Sequence, residues 1–219
     1  MKKIFLILVL CVLALAGYCS FDGAVCSNSP TITGRTINGK LKLVKREFID
    51  GNYLYSFGES ITDEIDEVRA VSICKSKESV VVGKTSVLNG QFSLTLFEPI
   101  VFCLENIADD LEEGVLISKK RTKGYNIILY GYKNGEMVKW IKLFPINLSE
   151  DVDVSSIMYV NRDARVTGSE NDGNYTIEYD VALKKGFNTI VARTIGGSVK
   201  ITANNEPADM IWGWVVERE

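Results

Sequence analysis

The sequence contains no histidine in 219 residues. That absence excludes Ser-His-Asp and Cys-His catalysis, His-ligated zinc and a His-ligated haem. Proline is scarce at four residues, which argues against a Pro-rich stalk. The five cysteines show no Cys-x-x-Cys spacing, so a thiolate metal site has little support. No Ser-x-x-Lys motif with partners is visible either. Helix signals are few: one short turn is expected over Ile107–Glu113, with Asp109 and Asp110 near its start. After Ala16 no apolar run reaches membrane-spanning length. No fixed-period repeat points to a solenoid or propeller. What is present is an ordinary globular composition, 46% hydrophobic and 24% charged in 24.3 kDa. That is enough chain for one large β-domain or two small ones.

The N-terminus carries its own signal. Lys2 and Lys3 precede an apolar run from Ile4 to Ala16, interrupted only by Cys11. The run is short for a span and fits the apolar region of a signal peptide, with Ala14-Leu15-Ala16 as a small-x-small cleavage site. Residues 1–16 are therefore expected to be removed, leaving a chain that starts at Gly17. A second reading competes. Leu15-Ala16-Gly17-Tyr18-Cys19 resembles the lipobox of bacterial lipoproteins, in which the cysteine is lipidated and becomes the first residue. Tyr18 stands where that motif needs a small residue. Loss of residues 1–16 removes Lys2 and Lys3 and no acid, so 23 basic residues face 28 acidic ones. Such a net acidic chain is a poor partner for nucleic acid or an anionic membrane.

Four cysteines then remain: Cys19, Cys26, Cys74 and Cys103. An oxidising compartment favours disulfides, and three pairings exist. The simplest is Cys19–Cys26 with Cys74–Cys103. The second bridge closes a loop around Asn89-Gly90 and contributes ~3 kcal/mol by loop entropy. Acylation of Cys19 leaves one cysteine free.

Turn signals dominate the rest. Asn38-Gly39, Asp50-Gly51, Asn89-Gly90, Asn134-Gly135 and Gly196-Gly197 each suit a two-residue hairpin, whose central residues need positive φ. Counting outward from Asn89-Gly90 places Val87 opposite Phe92 and Thr85 opposite Leu94. From Gly196-Gly197, Thr194 faces Val199 and Ala192 faces Ile201. From Asn134-Gly135, Leu129 meets Trp140 and Ile128 meets Ile141, so apolar bulk lies on both faces and the hairpin reads as central or sandwiched. With turns at 38–39 and 50–51, residues 31–57 read as a three-strand meander. The cleanest alternation is 174–183, with Tyr175, Ile177, Tyr179, Val181 and Leu183 on one face.

Roughly a dozen strands predict an all-β, antiparallel β-sandwich, hairpin-rich, as one sandwich or two small packed ones, with at most one short helix. The organisation reads as a signal peptide at 1–16, a linker at 17–30, a β-sandwich domain at 31–150 and a C-terminal β-sheet region at 151–219, continuous with the first or separate from it.

Few constellations carry chemistry. Asp63, Glu64, Asp66 and Glu67 form one acidic cluster, and Asp109, Asp110, Glu112 and Glu113 a second. Carboxylate pairs hydrolyse glycosides without histidine, but the two acids come from separate strands meeting in a cleft, so solvated loops are expected here. Hard oxygen ligands also suit calcium, yet no EF-hand spacing occurs. Asp151-Val152-Asp153 and Asn171-Asp172-Gly173 read as turns. Trp212 and Trp214 share one face of a terminal strand. Buried, they anchor a core; exposed, they form a platform for a sugar or a partner. Lys119-Lys120-Arg121-Thr122-Lys123 is the one basic run and reads as a solvated turn, with anionic lipid as the sharper alternative.

Asn89-Gly90-Gln91-Phe92-Ser93-Leu94-Thr95-Leu96 resembles a hairpin common in bacterial secreted Ig-like and prealbumin-like β-sandwich modules. Leu183-Lys184-Lys185-Gly186-Phe187-Asn188 resembles a hairpin of uncharacterised bacterial envelope lipoproteins, in which Trp usually occupies the position of Phe187. Together they cover about 14 residues on turns that many β-proteins share. The resemblance implies an envelope β-protein and carries over no catalytic residue.

The expected function is therefore a non-enzymatic envelope or surface module, exported to the periplasm, outer membrane or cell surface of a bacterium. Its partner is an envelope protein or a glycan, with membrane contact through lipid at Cys19 and no cofactor, metal or nucleic acid. The alternative is a carbohydrate-binding or carbohydrate-active module using Trp212 and Trp214 or a carboxylate pair. A surface-fibre subunit is a third reading, which needs an exposed edge strand.

Overall fold

The computed structural model describes residues 34–49, 52–60, 64–74, 79–97, 103–145, 155–171, 175–195, 198–203 and 210–217. The expected signal peptide and linker, Cys19, Cys26, Asp63, Asp151-Val152-Asp153 and the 150/151 boundary lie outside these residues, as do the turn dipeptides at 50–51 and 196–197.

The described chain is all-β. Its strands are β1 (Arg35–Ile49), β2 (Asn52–Ser60), β3 (Glu67–Ile73), β4 (Ser79–Ser86), β5 (Gln91–Leu96), β6 (Glu105–Asn106), β7 (Val115–Ile117), β8 (Lys123–Lys133) and β9 (Glu136–Pro145). They continue with β10 (Ser155–Val160), β11 (Ala164–Asn171), β12 (Thr176–Leu183), β13 (Gly186–Ile195), β14 (Ser198–Ala203) and β15 (Met210–Glu217). The short helical turn expected near 107–113 is a 3-10 turn at Ile107–Asp110. Strand order is β2-β1-β15-β9-β8-β10-β13-β14-β12-β11-β7, with β3 and β6 on β8, β4 on β3 and β5 on β1. Most neighbours run antiparallel. Two pairs are parallel, β1 with β15 and β12 with β14. Hairpin counting finds only sequence-adjacent partners, so these two long-range pairings lie beyond its reach.

β8 is the hub. Its edges are shared, with β3 and β6 on one side and β9 and β10 on the other. Two clusters of buried side chains form on opposite faces. The first gathers Leu41, Val68, Leu94, Leu96, Ile127, Leu129, Ile141 and Ile157 with the rings of Phe92, Tyr125, Tyr159 and Phe187. The second gathers Ile107, Val115, Ile117, Val160, Val166, Val181, Leu183 and Ile201 around Tyr179. β10 and β13 serve both, because alternate residues of a strand point to opposite faces. Ile157, Tyr159 and Phe187 enter the first cluster, while Val160 and Ala192 enter the second, with Met158 and Ile190 packed against it.

Local registers follow the counting where no bulge intervenes. Phe48 faces Tyr53 and Ile49 faces Asn52 across residues 50–51. Thr194 faces Val199, Arg193 faces Lys200 and Ala192 faces Ile201. Asn134 and Gly135 hold φ of 52° and 83°, as a two-residue hairpin requires. Beyond that turn the ladder shifts between Gly131 and Tyr132, so Tyr130 pairs with Trp140 and Leu129 with Ile141. A bulge moves every later side chain to the other face. It turns the apparent two-sided apolar hairpin into one buried face, with Leu129 and Ile141, and one aromatic face.

The Asn89-Gly90 turn forms, with Leu88 and Gln91 exchanging two backbone bonds of 2.9 Å. Its arms then separate: β4 pairs with β3, and β5 with β1. The arms meet again where Phe97 N donates to Val82 O at 2.7 Å. Val82 is the extra residue of a β4 bulge, and it is buried. The arms stay packed on one another although their ladder partners differ: a Cβ on Gly83 would lie 2.5 Å from Thr95 O.

The 184–186 turn is pinned by Asn188, whose side chain is fully buried. Its Nδ2 donates to Lys184 O at 2.8 Å and Gly186 O at 3.1 Å, and its Oδ1 accepts from Lys184 N at 2.9 Å. A buried amide saturated by the turn backbone meets the requirement that buried polar groups be paired. The turn leads into Phe187, whose ring meets Tyr159 edge-on at 5.1 Å, and Tyr159 in turn stacks on Tyr125 at 5.4 Å. It does not close a hairpin ladder, because β14 lies between β12 and β13.

Asn38-Gly39 is not a turn. Both residues lie inside the fifteen-residue β1, at the place where that strand changes partners. Arg35–Lys40 pair with β5, and from Leu41 onward the strand pairs with β15 and β2. A Cβ on Gly39 would lie 2.4 Å from the Phe92 ring and 2.5 Å from Trp212 Cδ1. The glycine is there for close approach of two rings to the backbone. Gly39→Ala is expected to destabilise the fold by about 1–3 kcal/mol, as overpacking does, read as a lower urea midpoint. An unchanged midpoint contradicts this role.

Candidate functional site

The face of β8 opposite the first core carries Asn126, Ile128, Tyr130 and Tyr132, none of them fully buried. The second core covers this face only as far as Met158, which pairs with Asn126. Beyond that point the face continues over β3, β8 and β9: Val71, opposite Ile128, is buried, and Ile128, Tyr130, Tyr132 and Trp140 are half-buried. Register fixes its composition. Glu67 faces Tyr132 and Arg69 faces Tyr130 across β3 and β8, and Tyr130 faces Trp140 across β8 and β9.

The side chains order one another. Tyr130 and Trp140 meet edge-on with centroids 6.1 Å apart. The Arg69 guanidinium lies over the Tyr132 ring, 3.8 Å from its centroid, and its Nε donates to the Glu67 carboxylate. About a quarter of each charged side chain remains exposed, 26% for Arg69 and 27% for Glu67. Stacking of a weakly hydrated guanidinium on an aromatic face holds it without removing it from water. Met137 and Val138, at 56% and 40% exposure, extend the apolar surface along β9. The result is a pre-organised patch of Tyr, Trp, Met and Arg on a central sheet.

No family model matches this chain, and no curated protein or solved structure matches it. The patch is therefore read from its own chemistry.

The residues singled out in the sequence fall elsewhere. Trp212 is partly buried against the first core and meets Phe92 edge-on at 6.0 Å. It therefore acts as a core ring rather than an open platform. Trp214 pairs with Leu43 along the backbone, and its side chain lies outside the described residues. The carboxylates serve local structure. Asp66 Oδ2 accepts from Asn134 N at 2.9 Å and so caps the β8–β9 turn, Glu67 holds Arg69, and Asp109 Oδ1 accepts from Asn106 Nδ2 at 2.8 Å. Among the described residues no three Cys, Asp or Glu side chains gather as a metal would require. Cys74 and Cys103 are joined in a disulfide, Cα atoms 4.8 Å apart, tying the end of β3 to the entry of β6. Lys119, Lys120 and Arg121 are exposed, and their turn is closed by Thr122 Oγ1 donating to Lys119 O at 2.7 Å.

Sequence reading missed the aromatic patch for an identifiable reason. Tyr130, Tyr132 and Trp140 are visible as an alternation, but the unshifted register places Trp140 opposite Leu129. A bulge leaves no reliable mark in the residue pattern at Val138.

One buried tyrosine marks the edge of the second core. Tyr179 is 8% exposed and its hydroxyl donates to Glu170 Oε1 at 2.7 Å. Burial first, then the Glu170 carboxylate, push its phenol well above the usual range. The folded state therefore keeps a proton that the unfolded chain releases above about pH 10. Stability is full below that pH and falls above it, by up to about 1.4 kcal/mol per pH unit from this group. Urea unfolding of the parent and Tyr179→Phe from pH 8 to 11 checks this: the variant is expected to lose that part of the alkaline slope. Identical slopes contradict the assignment.

Proposed function

We propose that this chain is an exported, non-enzymatic envelope β-domain that binds a protein partner through the face of β3, β8 and β9. The observation that carries the reading is the mutually packed, half-buried cluster of Tyr130, Tyr132, Trp140 and Arg69 on one sheet face. Tyr, Trp, Arg and Met are the residues enriched in interface cores and hot spots, and Lys and Glu are depleted there. Rings already fixed by neighbours lose little entropy on binding. Export is supported by the apolar run after Lys2-Lys3 and by the Cys74–Cys103 bridge, which suits an oxidising compartment. Lipid at Cys19 provides the tether in the anchored form of this reading.

The edges at β7 and β4 weigh against a fibre subunit, while β2, nine residues long at the other end of the strand order, is a full-length edge. β7 is three residues long, and β4 carries a bulge with Lys84 exposed, both of which blunt strand addition. A carbohydrate reading persists in altered form, on the half-buried rings of Tyr130 and Trp140, since Trp212 packs against the first core.

A photo-cross-linking residue placed at Met137, in the protein expressed in its native host, is expected to give discrete adducts with one protein. Trp140→Ala should weaken capture on the order of thirtyfold, as removal of a hot-spot aromatic does at about 2 kcal/mol. The same probe at Lys200 should give none. Equal adducts at both positions, or capture indifferent to Trp140→Ala, contradict the reading. A glycan array bound through Trp140 with no protein adduct replaces it with the carbohydrate one.

A further inference from the structure

The chain as a whole is net acidic, which argues against an anionic partner. The fold distributes charge unevenly. Three connections, 118–122 between β7 and β8, 161–163 between β10 and β11, and 184–185 between β12 and β13, come to one end of the sheet. The pairings Val160↔Gly124, Val160↔Gly186 and Ala164↔Leu183 put them there. Hydrogen bonds stitch them together. Asn161 N donates to Lys123 O and Lys123 N to Asn161 Oδ1, both at 2.9 Å, and Lys185 N donates to Asp163 Oδ1 at 2.8 Å. Ser118 N donates to Arg165 O at 2.9 Å.

Those connections carry Lys119, Lys120, Arg121, Arg162, Lys184 and Lys185, all exposed, against one carboxylate, Asp163. Asp163 lies 3.6 Å from Lys184 Nζ. The Lys185 backbone N–H, and then Lys184, hold its carboxyl below the usual range, so it stays ionised and offsets a single cation. Acids lie close by: Glu105 pairs with Gly124, and Ile107 N donates to Thr122 O at 3.0 Å, which brings the 3-10 turn with Asp109 and Asp110 beside the 118–122 connection. Glu112 and Glu113 follow the segment that leaves this end for β7, where Val115 meets Gly168. The six exposed cations of the three connections still outnumber the nearby Glu105, Asp109, Asp110 and Asp163.

The chain enters the domain at the same end. Arg35, at the start of the described residues, donates from Nη1 to Phe187 O at 3.3 Å, one residue from Gly186.

We propose that this basic end docks on an anionic lipid surface. Long cationic side chains spread over three rigid turns suit a field of headgroup phosphates, where each Lys or Arg near the surface strengthens attachment. No aromatic residue lies in the three connections, so the base-stacking platform of a single-strand nucleic-acid site is missing from them. The inference is independent of the aromatic patch.

The test is co-sedimentation of the chain from Gly17 onward with phosphatidylcholine vesicles, with and without about one-third phosphatidylglycerol. The readout is the preference for the anionic vesicles. Each cation is expected to contribute on the order of fivefold. Lys119→Gln/Lys120→Gln/Lys185→Gln should therefore lower the preference on the order of a hundredfold, while Lys84→Gln/Lys133→Gln/Lys200→Gln, with the same charge change elsewhere, should leave most of it. The preference should fade as salt shortens the screening length. Equal binding to both vesicle types, or equal loss in both triple variants, overturns the proposal. So does tighter binding to heparin or duplex DNA than to anionic vesicles with the same dependence on Lys119, Lys120 and Lys185.

Discussion

Everything else in this fold depends on β10 and β13 being buried on both faces. A strand with one wet face needs a single partner layer, but a strand with two apolar faces needs two. Ile157, Tyr159 and Phe187 demand cover on one side, and Val160 and Ala192 on the other. The first cover comes from β1, β3, β4 and β5, and the second from the 3-10 turn, β7, β11 and β12. β1 reaches its place only by changing partners midway, and Gly39 makes that change possible under two rings. The two parallel pairings set β15 between β1 and β9 and β14 between β12 and β13.

Much of this was legible in the residue pattern, and the failures are instructive. The β13–β14 and β1–β2 registers emerge correctly because two-residue turns leave no freedom once the apolar faces are aligned. The burial of Tyr179, Val181 and Leu183 follows from simple alternation. Tyr175 breaks the pattern at 50% exposure, since it lies before β12 begins. Three features escaped. Asn38-Gly39 has turn chemistry but is held extended by strands on either side, a tertiary effect that local propensity does not carry. The bulge at Val138 shifts a register by one residue and exchanges the two faces. Wedge strands β14 and β15 pair with residues far away in sequence. The aromatic patch inherits the second failure: its residues were in view, but the face they share depends on the bulge. The basic end inherits the third, because only topology brings residues 119, 162 and 184 to one place.

The two surfaces differ in kind. The patch on β3, β8 and β9 carries the Arg69–Glu67 pair, with Lys84 facing Arg69 across β3 and β4 and Lys142 two residues from Trp140 on β9, and it lies on the most supported strand of the molecule. The basic end is made of turns, with charge at the tips of long side chains and rigidity only in the backbone beneath. Such a division suits a domain that is oriented by one surface and recognises through another.

All of this requires that the two cores behave as one body. Native-state hydrogen exchange tests that requirement directly. If β10 and β13 weld the cores, amides of β5 in the first and β12 in the second open with the same free energy, within about 1 kcal/mol, and β10 and β13 are protected at least as well. Separate opening of β11, β12 and β14 at several kcal/mol below β1, β3 and β5 would show two independent units and contradict the account.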